Sequence, residues 1–215
     1  MTYTMNLWTY FALLAGIIIL PGVDMAYVAT NALSGGRRAG AAALAGVMTG
    51  GAVHTVTASL GVAFLLTQAP MVFGVLAIIG GGYMVWLGLT LIREAGAFSL
   101  VAPRPAAPAP VARIALRGLM TCLLNPKAYM FLAAVFPQFI RPEFGPIWRQ
   151  ALVIGVMTVL TQGAIYGTVA WLAARGGRAV TARPALLRGL VLATGTAFIV
   201  IGGLSALQMA TSLRR

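Results

Sequence analysis

The feature that most limits what this chain can become is its apolar runs, each about as long as a bilayer core is thick. Roughly 20 helical residues cross hydrocarbon. Six such runs lie between breakers, at about 6–33, 39–66, 70–92, 116–139, 148–174 and 186–209. Composition agrees: 60% of residues are apolar, 8% are charged, and the mean hydropathy is +0.93. A soluble domain of this size needs far more charge to stay dispersed. The expectation is an all-α membrane protein with six transmembrane helices.

Lys and Arg number 15 against three acids, a net charge of +12. In a membrane protein these cations belong in loops, against anionic headgroups or setting orientation. Nucleic-acid binding would need a soluble basic face with interleaved aromatics, and none is present. The one cysteine, Cys122 in "LMTCLLNP", excludes an internal disulfide and reads as a small buried residue. The start, "MTYTMNLWTYFALLAG", has no positive n-region and no clear cleavage site, so the first run is expected to be retained.

The segment 93–113, "REAGAFSLVAPRPAAPAPVAR", holds four of the 11 prolines. It reads as an extended surface linker. The chain then divides into residues 1–92, a linker at 93–115, and residues 116–215. With six spans, one side carries ten arginines: Arg37, Arg38, Arg93, Arg104, Arg113, Arg117, Arg175, Arg178, Arg183 and Arg188. The other side carries four: Arg141, Arg149, Arg214 and Arg215. The positive-inside rule puts the ten in the cytoplasm and both termini outside. Three spans in each half force the halves into opposite orientations, the inverted-repeat plan of many secondary transporters. Each half opens with a long span holding a proline: Pro21 in "LPGVD" and Pro126 in "LLNPK". Prolines common to membrane helices would give the same pattern by coincidence.

Proline removes a backbone donor and clashes with the carbonyl four residues back. Pro21 with Gly22 should break the first span, and Asn125-Pro126 the fourth. Unwound backbone at membrane depth is tolerated only beside a protein-enclosed or watery cavity. Asp24 and Lys127 flank the breaks. At about 1.5 Å per residue both sit roughly 15 Å from the cytoplasmic edge. An ionisable residue there is costly unless paired or hydrated, and marks a functional site by default. A static salt bridge between helices is the plainer alternative.

Other polar groups fall near that depth. Asp24, Tyr27 and Asn31 recur at helical spacing on one face. His54, the only histidine, suits a proton relay or a hydrogen-bonded packing role equally. Gln162 and Tyr166 form an i, i+4 pair that suits a polar ligand or an interhelical bond equally. The glycines Gly46/Gly50, Gly80 to Gly82, Gly163/Gly167 and Gly202/Gly203 read as close-packing sites between helices. No nucleophile motif, metal-ligand cluster or Walker loop is present, so no enzyme, cofactor, resident metal or ATP drive is expected. A transport role would then run on an ion or proton gradient, with Asp24 as the proton carrier.

The same residues resemble the LysE/RhtB superfamily of amino-acid exporters. "PGVD" at 21–24 is similar to the Pro-Gly-Pro-Asp/Asn signature of its first helix. "GGRRAGAAALAGVMTG" with His54 following, and "GGGYMVWLG" at 80–88, resemble its first loop, second helix and third helix. "RGLMTCLLNPKAYMFLAAVFPQFI" at 117–140, with Asn-Pro-Lys and Pro-Gln-Phe, is the nearest stretch. Val23 stands where the family has its second proline. The resemblance implies six helices in the cytoplasmic membrane and export of amino acids or close relatives in exchange for protons. The residues themselves suggest the arrangement: a zwitterion between the broken helices, its ammonium at Asp24 and its carboxylate at Lys127 and freed backbone N–H groups. Membrane lipid surrounds the protein, and a homo-oligomer is left open. Efflux of another cargo such as a metal cation, and a non-transport membrane subunit, are the alternatives.

Overall fold

The computed structural model describes residues 2–94, 109–175 and 184–212. Among them there is no strand; the chain is α1 (Tyr3–Ile19), α2 (Val23–Gln68), α3 (Pro70–Glu94), α4 (Val111–Leu123), α5 (Pro126–Phe139), a short 3-10 turn (Pro142–Phe144), α6 (Ile147–Ala174) and α7 (Pro184–Ser212). Most of the 93–115 linker lies outside the described residues, but its last part is already helical, since α4 begins at Val111.

Thr2 caps α1 by accepting the backbone N–H of Met5 at 3.3 Å. The helix stops before Pro21, because proline pushes the preceding residue out of the helical region. Leu20 accordingly turns extended (ψ 127°). Gly22 is also extended, and α2 restarts at Val23. The fourth run breaks in the same way. Asn125 is extended before Pro126, its side-chain oxygen accepts the backbone N–H of Lys127 at 3.0 Å, and Pro126 opens α5. The axes of α4 and α5 differ by 54°.

The connection expected between the first two spans, around Ser34 to Arg38, is a kink rather than a long loop: two helices meet at Gly36, which leaves the helical region at φ 66° and ψ −161°. That conformation is essentially restricted to glycine. It divides α2 into 23–35 and 37–68.

Four helices are long and apolar enough to cross a membrane, and the bent α4–α5 pair makes a fifth. Helices in lipid gain little from burying apolar surface, so close backbone approach matters more. α2 packs along α4 and α6, α3 along α7, and α1 touches α5, α6 and α7. A Cβ on Gly46 would collide with the Ala115 carbonyl, and one on Gly118 would lie 2.7 Å from the Ala43 carbonyl. The α3–α7 contact is reciprocal: a Cβ on Gly81 or on Gly202 would each sit 2.6 Å from the other's carbonyl. Tyr10, Phe131, Phe136, Phe139 and Phe198 fill the centre between α1, α5 and α7. The outer faces carry Leu60, Phe64, Met71, Leu152 and Leu207, suited to acyl chains.

Candidate functional site

The two breaks bring four helix ends together: the C-termini of α1 and α4 and the N-termini of α2 and α5. Between them lies a cavity of about 50 Å³, lined by Tyr10, Ile17, Asp24, Gly51, His54, Asn125, Lys127, Phe131, Thr158, Gln162 and Tyr166 among others. That is room for roughly three water molecules.

Asp24 lies in the first turn of α2, where the helix dipole favours an anion. It is 3% exposed. Asn125 Nδ2 donates to its Oδ2 at 3.0 Å, so the residue that caps α5 also tethers the carboxylate. The other oxygen, Oδ1, is buried without a partner.

Lys127 lines the same cavity but does not pair with Asp24. Its Nζ donates to the carbonyl oxygens of Ile17 at 3.2 Å and Leu20 at 3.1 Å. Those carbonyls belong to the end of α1, where backbone acceptors lack helical partners and the dipole favours a cation. The ammonium of α5 therefore caps α1. Gly22 leaves room for it: a Cβ there would lie 2.8 Å from Nζ. Among the described residues the one ion pair is Arg141 with Glu143 at 3.5 Å, outside the cavity.

The other candidates divide. His54 reaches the cavity from α2, and its Nε2 donates to the Cys122 carbonyl at 2.9 Å, at the end of α4. Its ring stands edge-on to Tyr129. Gln162, on α6, is 6% exposed, and its Oε1 is buried without a partner. Its side chain lies against Gly51, where any Cβ would overlap the amide. Tyr27 is not in the cavity; its hydroxyl donates to the Ile114 carbonyl at 2.7 Å and joins α2 to α4. Asn31 bonds back to the Tyr27 carbonyl. Pro21 and Gly22 form the interval between α1 and α2, and Pro126 begins α5.

Three cavity residues carried no sequence signal as site residues. Tyr10 sits in an apolar run like any core aromatic. Thr158 gives its proton to the Ile154 carbonyl at 2.8 Å, so the Tyr10 hydroxyl, 3.3 Å away, donates to Thr158. Gly51 reads as one small residue among many.

No group of three or more His, Cys, Asp or Glu side chains able to hold a metal occurs among the described residues. The helices and their interrupted pairs define a polytopic membrane protein with a small chamber at its centre, largely apolar but lined by Asp24, Lys127, His54 and Gln162. This chain belongs to the LysE type translocator family, whose pattern matches residues 13–209. It is 32% identical over 204 residues to a homoserine/homoserine lactone efflux protein of Salmonella typhi, covering 94% of this chain and 97% of that one. It is 31% identical over 202 residues to an uncharacterised membrane protein of Vibrio cholerae, covering 94% and 97%. A leucine efflux protein of Enterobacter sp. (strain 638) is 32% identical over 140 residues, 63% of this chain and 64% of that one. No solved structure gives a significant match.

Proposed function

We propose that this chain is a secondary active exporter of amino acids or close derivatives across the bacterial cytoplasmic membrane, exchanging substrate for protons. The observation that carries the reading is Asp24: a buried carboxylate with one unpartnered oxygen, lining a chamber where four helix ends meet. A carboxylate so placed can hold a proton or an ammonium, but not both at once. An outside proton that takes the carboxylate releases the substrate, and loss of that proton to the cytoplasm readies the site again.

The reading takes α1 with 23–35 as a first span, then 37–68, α3, the α4–α5 pair, α6 and α7. These make two inverted halves, 1–92 and 116–215, with 93–115 cytoplasmic and both termini outside. Support comes from the packing of corresponding elements on each other, 37–68 on α6 and α3 on α7, as a two-fold axis in the membrane plane requires. The family and the relatives' names support the cargo class.

The test is export from cells loaded with amino acid. Asp24→Asn keeps the shape and the bond to Asn125 but cannot exchange a proton. Export should fall to background while the protein remains in the membrane. Unchanged export would remove Asp24 from the coupling step.

A further inference from the structure

We propose that the chamber recognises its cargo by the ammonium group alone, through the paired acceptors Asp24 Oδ1 and Gln162 Oε1, so that carboxyl-blocked amines such as esters, amides and lactones bind as well as free amino acids do. This rests on the reading that the chamber is the transport site.

Two facts lead here. First, the chamber is lined by two buried acceptors without donors, from different helices: Asp24 Oδ1 from α2 and Gln162 Oε1 from α6. A buried acceptor left unpaired is costly, more so when charged. A primary ammonium brings three donors and a positive charge to that pair, and relieves both at once. Gly51 keeps the Gln162 amide in place, since a side chain there would displace it.

Second, the one cation of the chamber is already engaged. Lys127 places two of its three N–H donors on the Ile17 and Leu20 carbonyls. Drawing it toward a substrate carboxylate would strip the end of α1 of its cap. The chamber thus offers an anion with one oxygen still unpartnered and a cation that already has two partners. That asymmetry departs from the zwitterion arrangement expected from the sequence, with the carboxylate on Lys127.

The experiment measures binding to the purified full chain by thermal shift and calorimetry, with matched probes. One series is L-leucine, its methyl ester, 3-methylbutylamine and N-acetyl-L-leucine. The other is L-homoserine, homoserine lactone and N-acetyl-L-homoserine. For whichever parent binds, the ester or lactone, and for leucine the bare amine, should bind within about threefold of it, while the N-acetyl form is weaker by at least about tenfold. Gln162→Leu should weaken every ammonium probe by about tenfold and by the same factor across the series. A parent that binds while its ester or lactone is lost, or an N-acetyl form that matches the parent, overturns the inference and leaves the export reading standing. If no parent and no amine binds, the export reading fails with it. The probe series uses the unaltered protein, so the result does not depend on the variant folding.

Discussion

Asn125 serves two ends at once. Its oxygen caps α5 and its amide nitrogen holds Asp24. Asn125→Leu removes both. The lost cap costs about 1 kcal/mol, and the orphaned carboxylate oxygen about 1–3 kcal/mol more. Thermal unfolding in detergent should show the loss, with a neutral-acid double variant, Asn125→Leu with Asp24→Leu, recovering part of it. No recovery would mean the tether to Asp24 contributes nothing. At this scale the sequence was only partly legible. An acid and an amine at one depth beside two prolines do mark the chamber. Which partner the Lys127 ammonium takes was hidden, because its partners are backbone carbonyls. Every residue has one, so no residue type announces an uncapped helix end. Tyr10 and Thr158 were hidden for a related reason: a hydroxyl among apolar residues looks the same whether it faces lipid, core or cavity.

Helix ends were the most readable elements, since proline acts locally and predictably on its own peptide and the one before. Both breaks fall beside Pro21 and Pro126. The Gly36 bend was harder to read. Polar residues and paired arginines around it suggest an open loop, yet the chain turns at one glycine while helical bonding continues on either side. Gly36→Ala tests this. Forcing a Cβ into φ 66°, ψ −161° costs about 1–3 kcal/mol, with no steric neighbour to blame, since nothing lies within 4 Å of the site. The melting temperature should fall, and that of Gly36→Asn should fall by a similar amount, since the tolerance of Asn for positive φ is confined to the left-handed helical region. Equal stability for Ala and Gly would mean that the bend is not strained. The glycine contacts between α3 and α7 were half visible: Gly81 and Gly202 stood out, but Gly88 and Gly195 did not. A Cβ on Gly195 would lie 2.8 Å from the Gly88 carbonyl, a pairing that needs the register of two distant helices.

Over the whole molecule, the helical class was plain from hydropathy, because lipid leaves the backbone few options, whereas four helices, or five with the bent α4–α5 pair, have spanning length where six spans were expected. Sidedness and repeat plan rest on charge placement and remain part of the proposal. They carry an electrical consequence. One-for-one exchange of an outgoing zwitterion for an incoming proton moves one positive charge inward. An inside-negative potential then contributes about 2.3 kcal/mol per 100 mV, roughly a fifty-fold steeper gradient. An outgoing ester or lactone cation exchanged for a proton moves no net charge. In proteoliposomes, a potassium diffusion potential should accelerate export of the zwitterion and leave the lactone or ester unchanged. Equal sensitivity would exclude this stoichiometry.

The chain holds a single lysine, and that lysine is the mooring of α1. While the mooring holds, the amine is occupied and shielded. When the helix end lifts, the same nitrogen meets water, can give up a proton there, and becomes a nucleophile as the free amine. Opening of the chamber and chemical exposure of that one side-chain amine are therefore a single event, and a reagent that acylates amines keeps the time of the transport cycle.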